Sequence, residues 1–358
     1  MANNERIVIV APNWLGDAVM ALPAVTDVRR HFAGAHLALA ARASVAPLFD
    51  MVEGVDEVVR LPGRGGLGAL TTWKADAAAI RAGAFDTALL LPNSFASALT
   101  ASRAEVAERW GFAADLRGRY LTRAIAKPAL PLHQAAYYQA LVSGLGIPNG
   151  PTHARVVAAA DRGRALVREI GLDVDEPFVV FAPGAAYGRA KQWLPERFVE
   201  LGSLIVGERG WSVLLVGSGA DRPVCGQIAA QLTRSGTRLN RAVDLSGKTD
   251  LRSLAALLSV SHAVVANDSG AMHLAGAVGA KVVAVFGATN EARTSPLSSG
   301  PGAPAPVILT HEVFCRPCML RECPIDHRCM RGISARQVLA AIPKAEAPEA
   351  RILKPEAR

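Results

Sequence analysis

Three turns in the sequence carry side chains that could remove a proton or bind an anion. The first, residues 11–17, follows an apolar strand and ends in Asp17. A carboxylate in such a turn can act as a general base toward a hydroxyl group, and Gly16 allows the backbone to turn tightly. The same carboxylate would also be suited to cap the helix that follows. The turn alone leaves a catalytic role and a capping role for Asp17 equally open.

The second turn, residues 183–195, is basic. Gly184 follows a strand, Arg189 and Lys191 come next, and Pro195 marks the first turn of a helix. Two cations just ahead of the positive end of a helix favour an anion that completes the site. The alternative is a solvated basic loop without a ligand.

The third turn joins a buried strand directly to a helix. Asp268, Ser269 and Gly270 form it, and the free backbone amides of residues 269–271 would make an anion site. His273 lies four residues beyond Ser269 and therefore on the same helical face. A hydroxyl, amides and an imidazole that converge in this way suit a phosphate. The alternative is a helix capped by Asp268 or Ser269, with His273 in no special role.

Two further turns and one short motif are weaker signals. Asp221 follows a strand and is suited either to hold ribose hydroxyls or to cap a helix. Residues 245–249 precede a helix and could line a nucleotide pocket, although residue 242 is alanine where a P-loop would need glycine. Asp173 and Asp175 match a metal-binding D-x-D motif only in spelling, because they precede a strand instead of following one. We expect these two residues to form a solvated turn.

Four of the five cysteines crowd together, at Cys315, Cys318, Cys323 and Cys329. A C-x2-C pair followed by two more thiols can bind Zn²⁺ tetrahedrally, but the second C-x2-C pair of a usual zinc site is missing. We favour a reduced loop that lines the cleft, with a structural metal as the alternative, and we expect no disulfides in a reducing cytosol. Cys225 falls in a predicted helix and has no special role.

The elements that must position these turns follow from a repeated pattern. Short β-branched runs alternate with helix-length stretches, which predicts parallel strands buried on both faces and hence an α/β fold. The pattern occurs twice, on either side of a softer stretch at residues 146–151. We expect two doubly wound domains that face each other across a cleft, with ligands beyond the carboxyl ends of the strands. The predicted strands are residues 7–10, 37–40, 58–61, 87–91, 178–181, 213–216, 263–266 and 282–286.

The domain boundaries follow from this pattern. We place the first domain at residues 1–150 and the second at residues 151–333. Residues 334–343 are predicted to form a helix that packs back toward the first domain. We expect a flexible tail at residues 344–358 and a mobile Gly-rich loop at residues 64–68.

Composition sets the broad class. With 358 residues, 51% of them hydrophobic and 20% charged, the chain fits two globular domains. A net charge of +8 suits anionic partners, but only 5% of the residues are aromatic, so we expect no RNA-stacking surface and no nucleic-acid partner. No apolar run approaches the ~18 residues of a membrane span, and the amino-terminal stretch lacks the pattern of a secretory signal. We therefore expect a cytoplasmic protein.

Taken together and in this order, the three turns resemble the heptosyltransferases of glycosyltransferase family 9. The residues that carry the resemblance are Asn13-Trp-Leu-Gly-Asp17, then Pro183-Gly184 with Ala190-Lys191-Gln-Trp193-Leu-Pro195, then Asn267-Asp-Ser-Gly-x-x-His273. The resemblance implies a GT-B fold, in which two Rossmann-like domains face each other. It also implies an inverting transfer of heptose from ADP-heptose to a sugar hydroxyl on the inner core of lipid-A-linked lipopolysaccharide.

The resemblance also implies residue roles. Asp17 is similar to the catalytic base proposed for the family, and Lys191 matches its diphosphate-binding lysine. Asn13 and Asn93 are expected to contact the acceptor. The residues expected to bind the donor are Gly184, Asp221, Asp268, Ser269, Gly270 and His273. Because the lysine and the amides would neutralise the diphosphate, no cofactor and no essential divalent metal are expected.

Other functions remain open at this point. A family member that adds a different heptose, a sugar-nucleotide epimerase of GT-B shape, and a nucleotide-sugar-binding protein without catalysis would share much of the pattern. The implied acceptor lies in a membrane, so we expect peripheral contact with the cytoplasmic face of the anionic inner membrane. The candidate contacts are Arg103, Arg109, Arg117, Arg119 and Arg123, unless they form only a solvated basic surface.

Overall fold

The computed structural model describes residues 5–63, 69–234 and 241–345. The predicted Gly-rich loop at residues 64–68 lies outside the described residues, and so does the predicted tail from residue 346 onward. Within the described ranges, no helix has both the length and the apolar character that crossing a bilayer requires.

The amino-terminal half contains a parallel sheet of six strands in the order β3-β2-β1-β4-β5-β6. Its strands are β1 (Arg6–Val10), β2 (His36–Arg42), β3 (Glu57–Leu61), β4 (Thr87–Leu90), β5 (Glu108–Phe112) and β6 (Arg123–Ile125). The helices of this half are α1 (Leu15–Met20), α2 (Leu22–His31), α3 (Ala46–Phe49), α4 (Ala69–Ala82), α5 (Phe95–Arg103) and α6 (Gln134–Gly144).

The carboxyl-terminal half contains a second parallel sheet in the order β12-β11-β10-β7-β8-β9. Its strands are β7 (Phe178–Ala182), β8 (Ser212–Leu215), β9 (Ala242–Asp244), β10 (Ala263–Asn267), β11 (Val282–Phe286) and β12 (Val307–Thr310). The helices are α7 (Ala160–Glu169), α8 (Pro195–Arg209), α9 (Arg222–Arg234), α10 (Leu251–Val260), α11 (Gly270–Ala277), α12 (Glu291–Thr294), α13 (Arg328–Arg331) and α14 (Ala335–Ala341). Each half therefore has the doubly wound strand order.

The predicted α/β class is confirmed, and all eight predicted strands form. The central strands are almost continuously apolar, and every residue of β7, β10 and β11 is buried because helices cover both sheet faces. Four strands are not indicated by the sequence pattern, namely β5, β6, β9 and β12. They lie at or next to a sheet edge, where partial exposure admits polar residues that break the apolar run.

The two halves meet where helix α1 packs against helix α11. Since α1 follows β1 and α11 follows β10, this contact brings the carboxyl ends of the two sheets face to face. Glycines make the contact close. A Cβ atom on Gly16 would lie 2.8 Å from Cδ2 of His273, and one on Gly270 would lie 2.9 Å from Cβ of Leu15.

Polar contacts support the same arrangement. The Asp50 carboxylate of the first half accepts from Arg252 of the second half at 2.6 Å, and Nε2 of His133 is hydrogen-bonded to the Ser295 carbonyl oxygen at 3.0 Å. Both sheets lie on the expected sides of residue 150. The domain boundary itself stays a prediction.

The prediction that residues 334–343 return to the first domain is wrong. Helix α14 packs on α8 of the second half, and its Val338 and Leu339 belong to a core cluster built only from second-half residues. Arg209 of α8 donates to the carbonyl oxygens of Leu339 at 2.8 Å and Ile342 at 3.0 Å. Helix α8 thus buries the apolar face of α14. Burial of apolar surface is the driving force for this packing.

The five arginines predicted to contact the membrane do not form one exposed patch. Arg117 is fully buried and donates to the carbonyl oxygen of Phe112 at 2.9 Å, so its prediction as a surface contact is wrong. Arg109 is partly buried and directs its guanidinium to the carbonyl oxygen of Tyr120 at 2.7 Å. The exposed members are Arg103, Arg119 and Arg123.

Candidate active site

The three turns predicted to carry chemistry meet where α1 packs on α11. Asp17 lies in the first turn of α1, Lys191 ends a 3₁₀ turn after β7, and Ser269 precedes the first residue of α11. The charges of Lys191 and Asp268 both act on the pKa of Asp17. The carboxylate of the first half and the charged pair of the second half therefore lie close together.

Asp17 is not used as a cap. Helix α1 begins at Leu15 with Trp14 as its N-cap residue, and no side chain caps it. The Asp17 side chain is partly buried, and this burial raises the pKa of its carboxyl above the ordinary aspartate value, with Lys191 opposing the shift and Asp268 adding to it. A carboxylate with a raised pKa is a stronger base than an exposed one, which suits proton removal.

Lys191 is held between a carboxylate and an aromatic ring. Its Nζ atom donates to Oδ2 of Asp268 at 2.7 Å, and the two side chains are only 14% and 5% exposed. On another side, Nζ lies 4.9 Å from the centroid of the Tyr187 ring. An ammonium group has three N–H donors, so the pair with Asp268 leaves Lys191 able to donate to an anion as well.

Asp268, which the sequence predicts as a donor-binding residue, contacts Lys191 directly. Its Oδ2 atom accepts from Lys191 and, at 2.7 Å, from the Thr289 hydroxyl. A carboxylate next to a diphosphate repels it, so we interpret Asp268 as a positioning residue for the lysine. Sequence reasoning missed Thr289. Its place just beyond β11, at the carboxyl edge of the sheet, is the signal that could have found it.

The start of α11 has the features of an anion site. Ser269 is the N-cap residue, yet no side chain caps the helix. The Oγ atom of Ser269 and Nδ1 of His273 are buried and have no hydrogen-bond partner within the part of the chain that the structure describes. Buried polar groups are normally paired. Two unpaired groups on one helical face, beside free amides at a helix N-terminus, favour a bound anion.

His273 is buried and uncharged. The side chain is 3% exposed, and burial lowers its pKa to about 4. The imidazole is therefore neutral at pH 7, and it packs against Gly16 of the opposite half. A neutral imidazole can donate one hydrogen bond to a phosphate but brings no positive charge, so the charge must come from Lys191.

The burial of neutral His273 is expected to cost stability in acid. A histidine in the unfolded chain titrates near 6.5 and His273 in the folded chain near about 4. Stability should therefore fall as pH drops from about 6.5 to about 4, by about 3 kcal/mol in total. Urea unfolding across this range should show the loss in the wild type and a smaller loss in His273→Gln. Equal slopes for the two proteins would contradict a neutral, buried His273.

Asn267 joins the second turn to the third. Its Oδ1 atom accepts from the backbone N–H of Trp193 at 2.9 Å, and its Nδ2 atom donates to the Pro183 carbonyl oxygen at 2.6 Å. The side chain is fully buried, so these bonds fix the basic loop against the start of α11. The motif contains Asn267, but this role depends on the pairing of β7 with β10 and is not visible in the sequence.

Gly184 and Asp221 lie against each other, as neighbours in one predicted donor site should. The Asp221 carboxylate accepts from the backbone N–H and the hydroxyl of Ser218, both at 2.8 Å, so the structure shows its capping role. A Cβ atom on Gly184 would lie 2.2 Å from Oδ1 of Asp221. Glycine is therefore required for this approach, and the ribose contact of Asp221 stays a prediction.

The two predicted acceptor contacts have different surroundings. Asn13 is exposed in the turn before α1. Asn93 follows β4 and is partly buried, and its Nδ2 atom donates to the Tyr137 hydroxyl at 2.8 Å. Its Oδ1 atom accepts a long bond of 3.4 Å from the buried Arg117. Arg117 therefore helps to hold the turn that carries Asn93.

The structure shows local contacts in the weaker motifs, and the nucleotide pocket at residues 245–249 stays a prediction. In residues 245–249, Lys248 donates to the Asp244 carbonyl oxygen at 2.8 Å. The solvated turn predicted for the D-x-D motif is confirmed, since both aspartates are exposed and the Asp175 N–H donates to Oδ1 of Asp173 at 3.0 Å. Among the described residues, no three His, Cys, Asp or Glu side chains are already placed to hold a metal ion.

A cavity of ≈ 260 Å³ lies elsewhere, at the amino ends of β7, β10 and β11. It is lined in part by Phe178, His262 and Lys281. Parallel α/β sheets bind ligands at their carboxyl ends, so we do not place the active site in this cavity.

Two doubly wound sheets with their carboxyl ends face to face, an acid on one side and an anion site on the other, place the chain in the GT-B class of glycosyltransferases. Comparison with protein families narrows this class to one family. The profile described as glycosyltransferase family 9 (heptosyltransferase) matches residues 74–328. The chain belongs to this family.

Individual relatives agree with the family. The chain is 29% identical over 303 residues to lipopolysaccharide heptosyltransferase 2 of Salmonella typhimurium, a match that covers 82% of this chain and 86% of the relative. It is also similar to the structure of the E. coli ADP-heptose lipopolysaccharide heptosyltransferase II, with a TM-score of 0.79 and 25% identity over 94% of this chain and 97% of that one. A family 9 structure from Veillonella parvula, at 20% identity and a TM-score of 0.78, shares the fold.

Proposed function

We propose that this glycosyltransferase is an ADP-heptose:lipopolysaccharide heptosyltransferase II. It would move heptose from ADP-heptose onto the inner-core heptose of lipid-A-linked lipopolysaccharide, with inversion at the anomeric carbon. The names of the Salmonella and E. coli relatives support this choice, and the similar E. coli structure is that of an ADP-heptose enzyme. The matched region covers 86% of the Salmonella relative, so the likeness extends over most of the enzyme.

In this proposal, the first half binds and activates the acceptor. Asp17 removes the proton of the acceptor hydroxyl while its oxygen attacks the anomeric carbon from the face opposite the leaving group. The raised pKa of Asp17 suits this role, because a base works best when its pKa approaches the working pH. We assign acceptor contacts to Asn13 and to the turn at Asn93.

In this proposal, the second half binds the leaving group. Negative charge grows on the ADP diphosphate as the glycosidic bond breaks, and Lys191 together with the amides at the start of α11 would stabilise it. These groups are fixed before the reaction, Lys191 by Asp268 and the loop by Asn267. Preorganised donors of this kind stabilise developing charge without reorganisation. The reaction as proposed requires no cofactor and no divalent metal.

One observation carries the proposal. Asp17 lies on α1 of the first half, and α1 packs on α11 of the second half so closely that a Cβ atom on the neighbouring Gly16 would lie 2.8 Å from His273. A base and a diphosphate-binding lysine on opposite sides of one gap match an in-line displacement. A binding protein without catalysis has no need of the acid.

The test is an acceptor series. The purified chain is mixed with ADP-heptose and with core acceptors that carry no heptose, one heptose or two, and ADP release and product mass are measured. We expect turnover with the acceptor that carries one heptose. Turnover only with the heptose-free acceptor, or only with two heptoses, would indicate a family member that adds the first or third heptose. Conversion of the donor without acceptor would indicate an epimerase, and donor binding without turnover a binding protein.

We also propose that the enzyme contacts the anionic inner membrane through Arg103, Arg119 and Arg123. Each such arginine contributes about 1 kcal/mol near an anionic surface. Changing all three to glutamine should weaken binding to phosphatidylserine vesicles by roughly 100-fold, and salt should weaken the wild type. The matched control changes the exposed arginines of α7 in the second half, Arg162, Arg164 and Arg168. Vesicle binding that depends on neither anionic lipid nor salt would exclude this contact.

A further inference from the structure

The segment at residues 315–329, which we name the cysteine loop, packs directly on the turn that carries Lys191. The backbone N–H of Ala190 donates to the Arg321 carbonyl oxygen at 2.9 Å, and Nε2 of His327 is hydrogen-bonded to the Ala190 carbonyl oxygen at 3.0 Å. The Tyr187 hydroxyl donates to the Met319 carbonyl oxygen at 3.0 Å. The loop thus holds both Ala190 and Tyr187, which flank the Lys191 side chain.

All four cysteines of this loop line a single small cavity beneath it. The cavity measures ≈ 20 Å³ and has an otherwise largely apolar lining that includes Ala190 and Ala288. A single water-sized sphere needs about 10–15 Å³, so the space fits one small ion. The cysteines are Cys315, Cys318, Cys323 and Cys329.

We propose that these four cysteines bind one metal ion as a tetrahedral thiolate site, with zinc or iron as the ion. Four thiolates in one small cavity are the ligand set that both metals prefer. The four thiols lose their protons as the ion enters. The sulfur atoms are not yet placed as a preformed site, so binding is expected to draw them together by side-chain rotation, as in sites that form with their metal.

One backbone contact beside the cavity suits a thiolate ligand. The Cys323 sulfur already accepts a hydrogen bond from the His327 backbone N–H at 3.3 Å, and such outer contacts orient ligands and stabilise their charge. Arg328 also lines the cavity, and its guanidinium is paired with the Asp326 carboxylate at 3.0 Å.

The site would act on the reaction through Ala190 and Tyr187, not by touching a substrate. A metal ion that fixes the cysteine loop would stiffen the turn from Tyr187 to Lys191, because the loop is bonded to both ends of it. This consequence rests on the proposed role of Lys191. The metal site itself does not.

The test measures metal in the untagged full-length chain, purified without chelators. We expect about one zinc or iron atom per chain, and a visible absorption band distinguishes iron from colourless zinc. Cys318→Ser and Cys323→Ser should each lower the retained metal by about tenfold or more. Cys225→Ser is the matched control and should retain it, because Cys225 lies buried in α9, away from the cavity.

A second measurement needs no variant. Treating the folded wild type with a mercurial reagent should release the metal in step with modification of four thiols, and hydrogen exchange at the Ala190 amide should be faster after removal of the metal. Purified chain that holds no stoichiometric metal and shows freely reactive thiols, or disulfides within the loop, would overturn the proposal. So would equal metal content in Cys318→Ser and Cys225→Ser.

Discussion

Replacing Lys191 with alanine should lower kcat by roughly 10²–10³-fold, the loss seen when one preorganised donor to a developing anion is removed. The reason is that Lys191 is the positive side chain fixed against the α11 N-terminus, while His273 is neutral. Charge that grows on the diphosphate in the transition state would lose its main partner. Steady-state kinetics with ADP-heptose and the preferred acceptor measure the effect.

The control for this variant must separate the loss of the Lys191 charge from a loss of stability. Lys191→Ala leaves the buried Asp268 without its cation, and breaking a buried ion pair in this way destabilises a protein by about 3–5 kcal/mol. The double variant Lys191→Met with Asp268→Asn removes both charges and should unfold at nearly the wild-type temperature, yet remain inactive. Lys74→Ala, at an exposed position on α4, should change neither property. Activity recovered in the double variant would remove Lys191 from the mechanism.

Asp17→Asn should lower kcat by roughly 10²–10⁴-fold, the usual contribution of a general base. Asparagine keeps the size and polarity of the side chain but cannot take a proton from the acceptor hydroxyl. Donor affinity should change little, because we assign the diphosphate to the second half. Asp161→Asn, an exposed first-turn aspartate on α7, is the matched control and should behave as wild type.

The pH profile gives the same variant a second test. Burial raises the pKa of Asp17, so its carboxyl is protonated at a higher pH than an ordinary aspartate. Because the ionised form is the base, wild-type kcat/KM should rise with pH along an acid limb that lies above the usual aspartate range. The residual activity of Asp17→Asn should lack this limb. Near-normal turnover in the variant, or an unchanged limb, would exclude Asp17 as the base.

The central architecture could be predicted from the sequence because it depends on local pattern. Buried parallel strands such as β1, β7, β10 and β11 are short apolar runs, and the turns after them must lie at one edge of the sheet. This reasoning brought Asp17, Lys191 and Ser269 to the same region of the molecule. The edge strands β6, β9 and β12 are partly exposed, so the apolar run that identifies a strand is absent there.

Other features depend on contacts between distant residues. The bond from Thr289 to Asp268 needs β10 and β11 side by side, and the burial of Arg117 needs the turn at Asn93 to wrap around it. A charged side chain predicts a surface position until such partners are known. The neutral state of His273 likewise follows from the packing of α1 on α11, which no local pattern encodes.

The most direct measurement is a crystal structure of the chain soaked with ADP. The account predicts that the diphosphate oxygens lie within hydrogen-bonding distance of Lys191 Nζ and of the amides at residues 269–271, with the Asp17 carboxylate facing the terminal phosphate across the gap. A diphosphate bound away from the start of α11, or an Asp17 side chain turned out of the gap while ADP is bound, would contradict it.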